Sequence, residues 1–215
     1  MNEAWTKDNN GRLHALHGRI PSHAAGVVIV DLESLADNWR ALQSHVAPAK
    51  CGAVIKANAY GLGVAGVAPA LASAGADSFF VATLEEATEV KARAPGATVY
   101  VLNGIFPGAA AAMIECGAVP VLSSLPEVAE WGQAAPSRQQ PLPCALHVDT
   151  GLNRLGLSAA ELQQLAANMH LLDRLDVKLV MSHLACADEP GHQKNQQQRE
   201  IFERLQPLLP SVPLS

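Results

Sequence analysis

The sequence predicts an α/β protein of the (β/α)8 barrel type, on three observations. Short β-branched runs alternate steadily with stretches of helical period from residue 26 to the last residue. Serine or threonine caps, glycines and prolines mark the boundaries between them. Lys56, Arg154 and His183 stand at or just past the carboxyl ends of strand-like runs, the face on which barrels of this type carry their sites.

The elements follow in order. Met1 to His23 is polar and is read, with Ala24 and Ala25, as an N-terminal extension, 1–25; the domain proper is 26–215. Gly26 to Val30 is strand-like, and the helix after Asp31 keeps Leu35, Trp39, Leu42 and Val46 on one face. Gly52 to Ile55 is a short buried strand ending at Lys56. Val64 to Ala74 is an alanine-rich helix closed by Gly75, and Ser78 to Ala82 is a strand. Thr83 with Glu86 has capping-box spacing and opens a helix that turns Leu84, Ala87 and Val90 inward until Pro95-Gly96. Thr98 to Leu102 is a strand, Pro107 starts a helix to Cys116, and Val119 to Leu122 is a strand. Ser124 and Glu127 cap a helix carrying Trp131, and Ala134 to Pro143 is a loop. Cys144 to Val148 is a strand, after which Ser158 and Glu161 cap a helix bearing Leu162, Leu165 and Met169. Val177 to Ser182 is a strand, Gln193 to Leu205 an amphipathic helix, and Val212 to Ser215 the beginning of a further strand.

Composition narrows the function classes. With 49% hydrophobic and 16% charged residues among 215, the chain has ample core and is neither disordered nor membrane-spanning. A formal charge of -5 without a basic cluster leaves no electrostatic footprint for nucleic acid. Cys51, Cys116, Cys144 and Cys186 are scattered without a CxxC pair, so reduced thiols are expected rather than a disulfide scaffold or structural zinc. His183, Cys186 and His192 offer three possible ligands at most, and no metal is expected there. Ala24 to Val30 is apolar for only seven residues and no basic segment leads it, so no export signal is read and a cytoplasmic protein is expected.

Lys56 is the most informative lysine. A neutral amine attacks a carbonyl to make a Schiff base, and burial or a cationic neighbour favours the neutral form. Pyridoxal phosphate, PLP, is the commonest such carbonyl partner. Gly61 and Gly63 let backbone N–H groups approach an anion, and Tyr60 offers a phosphate a phenolic hydrogen bond. Spacing alone favours a strand-end lysine reaching solvent beside an ordinary turn. It likewise leaves Arg154 open as a solvated loop arginine and His183 as a structural histidine.

The string Ala53 to Gly63, AVIKANAYGLG, resembles the PLP-lysine motif of alanine racemases, and the resemblance runs from about Val27 to the last residue. It implies Lys56 as the catalytic lysine that carries PLP and Tyr60 as a phosphate ligand. VIVDLESLADNWRAL resembles the family's opening, whose first strand, 26–31 here, joins a second, C-terminal β domain. HVDTGLNRLGL resembles the segment whose arginine contacts cofactor and substrate carboxylate, which gives Arg154 a substrate-binding role. MSHLACAD is similar to the strand-end histidine segment, which places His183 beside the cofactor, hydrogen-bonding beneath its ring. One position departs: His147 stands where many members carry a carbamylated lysine that orients the arginine, and a histidine can hold Arg154 only as a neutral acceptor.

With the first run assigned to the second domain, Ser211 to Ser215 is only the seventh barrel strand. The expectation is therefore a barrel incomplete at its C-terminus, without the eighth strand or the β domain. Racemisation needs two bases on opposite faces of a planar carbanion. Lys56 is one; the chain's tyrosines, Tyr60 and Tyr100, suit neither the opposite face nor the task. In the family the second base is a tyrosine from the partner subunit of a homodimer. The expected function is interconversion of L- and D-alanine, supplying D-alanine for peptidoglycan, with these 215 residues alone inactive. The alternatives are a PLP-binding carrier without turnover and a racemase for another small amino acid.

Overall fold

The computed structural model describes residues 28–136 and 139–215, together with 6–7, 13–14, 23 and 25. The chain divides into two units, Met1–Asp31 and Leu32–Ser215. In the first, β1 (Thr6–Lys7) and β2 (Leu13–His14) pair antiparallel, a hairpin that the polar composition of this stretch conceals. Of the strand expected over 26–30, Gly26 and Val27 lie outside the described residues. Val28–Val30 is not strand: it has no ladder partner among the described residues, and Val28 is 88% exposed.

The second unit opens with α1 (Leu32–Val46), whose Leu32, Leu35 and Trp39 pack on the core. Trp39 Nε1–H donates to the Cys51 carbonyl at 3.1 Å. Leu42 and Val46 do not share this burial, at 57% and 39% exposed, because α1 leans on its neighbour through its first turns only. There follow β3 (Ala53–Val54), α2 (Lys56–Tyr60), α3 (Val64–Ala74), β4 (Ser78–Val81), α4 (Leu84–Arg93) and β5 (Thr98–Val101). The chain continues through α5 (Ala110–Cys116), β6 (Val119–Leu122), α6 (Leu125–Ala134), β7 (Leu142–His147), α7 (Ala159–Ala167), β8 (Leu175–Met181) and α8 (Gln193–Leu205).

Strands β3 to β8 form one parallel sheet in sequence order, the topology of successive βα units. Residues 211–215 extend it by a single bridge, Leu214 beside Val180, with Ser215 N–H donating to the Val180 carbonyl at 2.9 Å. The result is an open, partial barrel. Alternation along each strand splits the core in two. Phe79, Val81, Val99, Val101, Cys144, Leu146 and Val180 face the helices, whereas Phe80, Tyr100, Val119, Val121, Ala145, Leu179 and Met181 pack together on the inner face. There Phe80 and Tyr100 stack with centroids 4.7 Å apart.

Several boundaries differ from expectation for identifiable reasons. α5 begins at Ala110 because Pro107-Gly108 is spent in a turn, with Gly108 at φ 81. Leu142 and Pro143 belong to β7, where Leu142 N–H donates to the Arg174 carbonyl at 2.9 Å. Met169 lies outside α7, in a 3-10 turn, and is 46% exposed. Ser158 and Glu161 form a reciprocal capping box, but Glu86 and Glu127 do not return to the cap residue's own N–H. Their carboxylates reach one residue further back, to the N–H of Ala82 and Ser123.

This packing makes a contrast testable by urea denaturation. Leu162, fully buried between α7 and the sheet, should lose about 2–5 kcal/mol on Leu162→Ala, whereas Leu42→Ala should cost less than about 1 kcal/mol.

Candidate active site

Lys56 follows β3 at the carboxyl rim, and the period of two puts it on the inner face with Val54. The turn it opens is left-handed. Ala57, Asn58, Ala59 and Tyr60 have φ between 51 and 54, a run of four residues bearing Cβ atoms where each costs roughly 1–2 kcal/mol. Its carbonyls are satisfied within the turn, since Gly61 N–H donates to Ala57 O at 3.0 Å and Gly63 N–H to Asn58 O at 3.0 Å. Two side chains hold it, one from outside the turn and one from within. The Glu86 carboxylate accepts from Ala57 N–H through Oε1 and from Ala82 N–H through Oε2, both at 2.7 Å, and Asn58 Oδ1 accepts from Val64 N–H at 2.9 Å. The N–H groups of Gly61 and Gly63 are themselves used inside the turn.

Arg154 is carried by an excursion between β7 and α7. Leu157 N–H donates to the His147 carbonyl at 2.8 Å and Asp149 N–H to Leu157 O at 3.0 Å, so the loop leaves and rejoins the strand end at one place. Inside it Asp149 Oδ1 accepts from Gly151 and Asn153 N–H. Gly156, at φ 112, must be glycine because a Cβ would lie 2.6 Å from the Asp149 nitrogen.

His147 ends β7, and His183 lies two residues past β8. His183 Nδ1 and His147 Nε2 share a hydrogen bond of 3.1 Å, with the rings edge to face at 4.9 Å. Burial, then the charge of His183 when protonated and that of Arg154, pushes the His147 imidazole down to about 4, against a smaller opposing pull from Asp149. Burial, Arg154 and Lys56 together lower His183. Both rings are therefore neutral at pH 7. The hydrogen-bond partner of His147 is His183, and no hydrogen bond joins it to Arg154 among the described residues.

The Gln198 side chain of α8 fixes the backbone beneath this pair. Only 2% exposed, it donates to the His183 carbonyl at 2.9 Å and to Thr150 Oγ1 at 3.1 Å, and accepts from Ala185 N–H at 2.8 Å. Because the Ser182 hydroxyl donates to the Val148 carbonyl, Thr150 Oγ1–H must donate to Ser182 Oγ, 2.8 Å away. The chain of donors thus runs one way, from α8 across the ends of β7 and β8.

A cavity of about 360 Å³ is lined by Lys56, Ala82, Leu102, Asn103, His147, Arg154, Leu155 and His183. The structure therefore gathers Lys56, Arg154 and His183 at one place with His147, but not Tyr60, which is 62% exposed and outside the lining. Sequence reasoning missed Asn103, Leu102 and Ala82; for Leu102 and Ala82 the signal is the inner-face period continued just past β5 and β4, and Asn103 follows Leu102 in the turn after β5. A larger cavity of about 510 Å³ lies between the β8 end and α8 and includes His183 and Ser215. The cysteines are free, and burial raises Cys144 to about 12. His192 Nδ1 accepts from Lys194 N–H as the cap of α8. Among the described residues no three His, Cys, Asp or Glu side chains are placed to hold a metal, and no helix is long and apolar enough to cross a membrane.

A parallel βα sheet with an amine, a guanidinium and two neutral imidazoles on its carboxyl rim defines the barrel class of α/β proteins with a polar rim site. Within it the match is specific. The family model for the alanine racemase N-terminal domain covers residues 30–213, and the chain belongs to that family. It is 50% identical over 194 residues to the alanine racemase of Methylobacterium nodulans, covering 90% of this chain and 52% of that protein. It is 44% identical to the catabolic alanine racemase of Mesorhizobium japonicum, over 89% and 51% respectively. The crystal structure of alanine racemase from Bartonella henselae with covalently bound pyridoxal phosphate superposes with a TM-score of 0.83 at 37% identity, over 86% of this chain and 54% of that one. The chain thus spans about half the length of the relatives it matches.

The histidine pair sets a pH dependence. Protons bind the unfolded His147, near 6.5, more readily than the folded one, near 4, so its contribution to stability is full above about pH 6.5 and lost as pH falls towards 4. Folding stability should drop by about 3 kcal/mol across that window on account of His147. Urea midpoints at pH 7, 5.5 and 4.5 check this, and His147→Gln should flatten the dependence.

Proposed function

We propose that this chain is the cofactor-carrying part of a pyridoxal-phosphate-dependent isomerase, an alanine racemase. The observation that carries the reading is the convergence of Lys56 with Arg154, His147 and His183 on one cavity at the strand ends. The residues present fit the cofactor. About 360 Å³ is within the range of small-molecule sites, and the donor set supplies an amine for a carbonyl and a cation for an anionic group. Bound there, pyridoxal phosphate supplies the electron sink that stabilises a carbanion at an amino acid's α-carbon.

In this reading Lys56 Nζ holds the cofactor covalently and moves the α-proton on one face. Arg154 binds the substrate carboxylate. The neutral histidine pair adds no positive charge to the site, and His183 would lie beside the cofactor, within reach of a hydrogen bond. Tyr60, at the exposed end of the left-handed turn, is the phosphate's phenolic donor. Tyr100 is buried against Phe80 and lines no part of the cavity. We therefore place the second base on a tyrosine outside these 215 residues, presented by the partner subunit of a cytoplasmic homodimer. Residues 26–215 are the barrel domain, and 26–31 is the segment that would become a strand on pairing with a β domain.

The physiological direction we favour is supply of D-alanine for peptidoglycan. The relative named catabolic supports the opposite use, D-alanine breakdown, and a deletion strain distinguishes them: D-alanine auxotrophy is the expected outcome.

The reaction is tested by joining this chain to the C-terminal half of the Methylobacterium nodulans relative. The fusion should convert L- to D-alanine with added PLP, and Lys56→Ala should reduce the rate at least about a thousandfold. A folded fusion that holds PLP without forming D-alanine would support a carrier, and turnover of another small amino acid alone would reassign the substrate. The 215-residue chain by itself should fall well short: a rate within about tenfold of the fusion, roughly 1.4 kcal/mol in barrier, would contradict the placement of the second base.

A further inference from the structure

Glu86 lies outside the cavity, yet among the described residues it is the side chain whose hydrogen bond ties the Lys56 turn to the neighbouring βα unit. Its two carboxylate oxygens divide between two backbone donors, Ala82 N–H at the end of β4 and Ala57 N–H immediately after Lys56, each at 2.7 Å. The first bond is local to the helix start; the second crosses from one βα unit to the one before it. The residue is half-buried and its backbone is anchored at the start of α4, where Glu86 N–H donates to the Thr83 hydroxyl.

What it holds is a backbone that would not otherwise keep its shape. Four successive residues with Cβ atoms in the left-handed region are each disfavoured, and the strain begins at Ala57, the residue whose N–H Glu86 accepts. Releasing that N–H leaves a strained turn free to relax towards ordinary dihedrals, and Lys56 is the residue at its root. A shift of about 1 Å in a reacting group suffices to cost a hundredfold in reactivity.

We infer that Glu86 is a positioning residue for Lys56, its carboxylate pinning the left-handed turn to the rim so that the amine is aimed into the cavity. This rests on Lys56 being the PLP lysine, as proposed above. The charged acceptor is needed in full. A glutamine amide accepts one of the two N–H groups and opposes the other with its own NH₂, and an aspartate, one methylene shorter, keeps Ala82 but cannot reach Ala57.

The test compares the PLP-loaded wild-type chain with Glu86→Gln, Glu86→Asp and, as control, Glu85→Gln at the exposed neighbouring position on the same helix. Borohydride trapping of PLP, followed by peptide mapping, gives the rate of covalent capture at Lys56. It should fall about tenfold or more in both Glu86 variants and remain within about twofold of wild type in the control. Amide exchange on the cofactor-free chain reads the contact directly. Ala57 N–H should be protected at least about tenfold in wild type, and in Glu86→Asp that protection should vanish while Ala82 N–H keeps its own. Capture at Lys56 undiminished in the Glu86 variants, or an unprotected Ala57 N–H in wild type, would overturn the inference. Wild-type capture at a different lysine would instead sink the assignment of Lys56, and the exchange data would still decide whether Glu86 holds the turn.

Discussion

The parallel register of the sheet is the constraint from which the site follows. Because β3 to β8 run in one direction, every strand delivers its carboxyl end to the same rim. Because side chains alternate, the residue two past the last inner-face position on each strand points over the inner core. Val54 leads in this way to Lys56, Phe80 to Ala82, Tyr100 to Leu102, Ala145 to His147 and Met181 to His183, and all five of these successors line the smaller cavity. A slip of one residue in any strand would turn its contribution towards the helices.

The rim is built from costly parts. Lys56 is followed by a left-handed run, His147 is a buried imidazole kept neutral against its ordinary titration, and Gln198 is a buried amide. Each cost is offset locally: the turn by Glu86 and Asn58, His147 by His183, and Gln198 by acceptors for both of its N–H groups and a donor to its carbonyl. Strain and buried polarity thus collect where the chemistry is proposed, whereas the helix-facing core of Phe79, Val99, Leu146 and Leu162 is plain apolar packing.

Much of this was legible in the residues. Period and caps located α3 and α8 to the residue and the central strands to within a few residues, since those elements agree with their own propensities. Lys56, Arg154 and His183 stood out through their strand-end places and the motifs around them. What stayed hidden was set by non-local geometry. The left-handed turn reads locally as an ordinary turn before two glycines, and the Glu86 carboxylate that accepts from Ala57 N–H stands 29 residues on. The His147–His183 pair depends on two strands being neighbours, and the exposure of Leu42 and Val46 on how far α1 reaches along its partner. Val28–Val30 shows a strand-like sequence without a strand, because a strand needs a partner more than a propensity.

The account stands on the claim that side chains from separate strands act as one cofactor site. Titrating the chain with pyridoxal phosphate while following the ring resonances of its eight histidines tests that claim most directly. His147 and His183 should move together along a single saturation curve, while His45, His170 and His192 remain still. Saturable binding of the cofactor that leaves both His147 and His183 unmoved would contradict it.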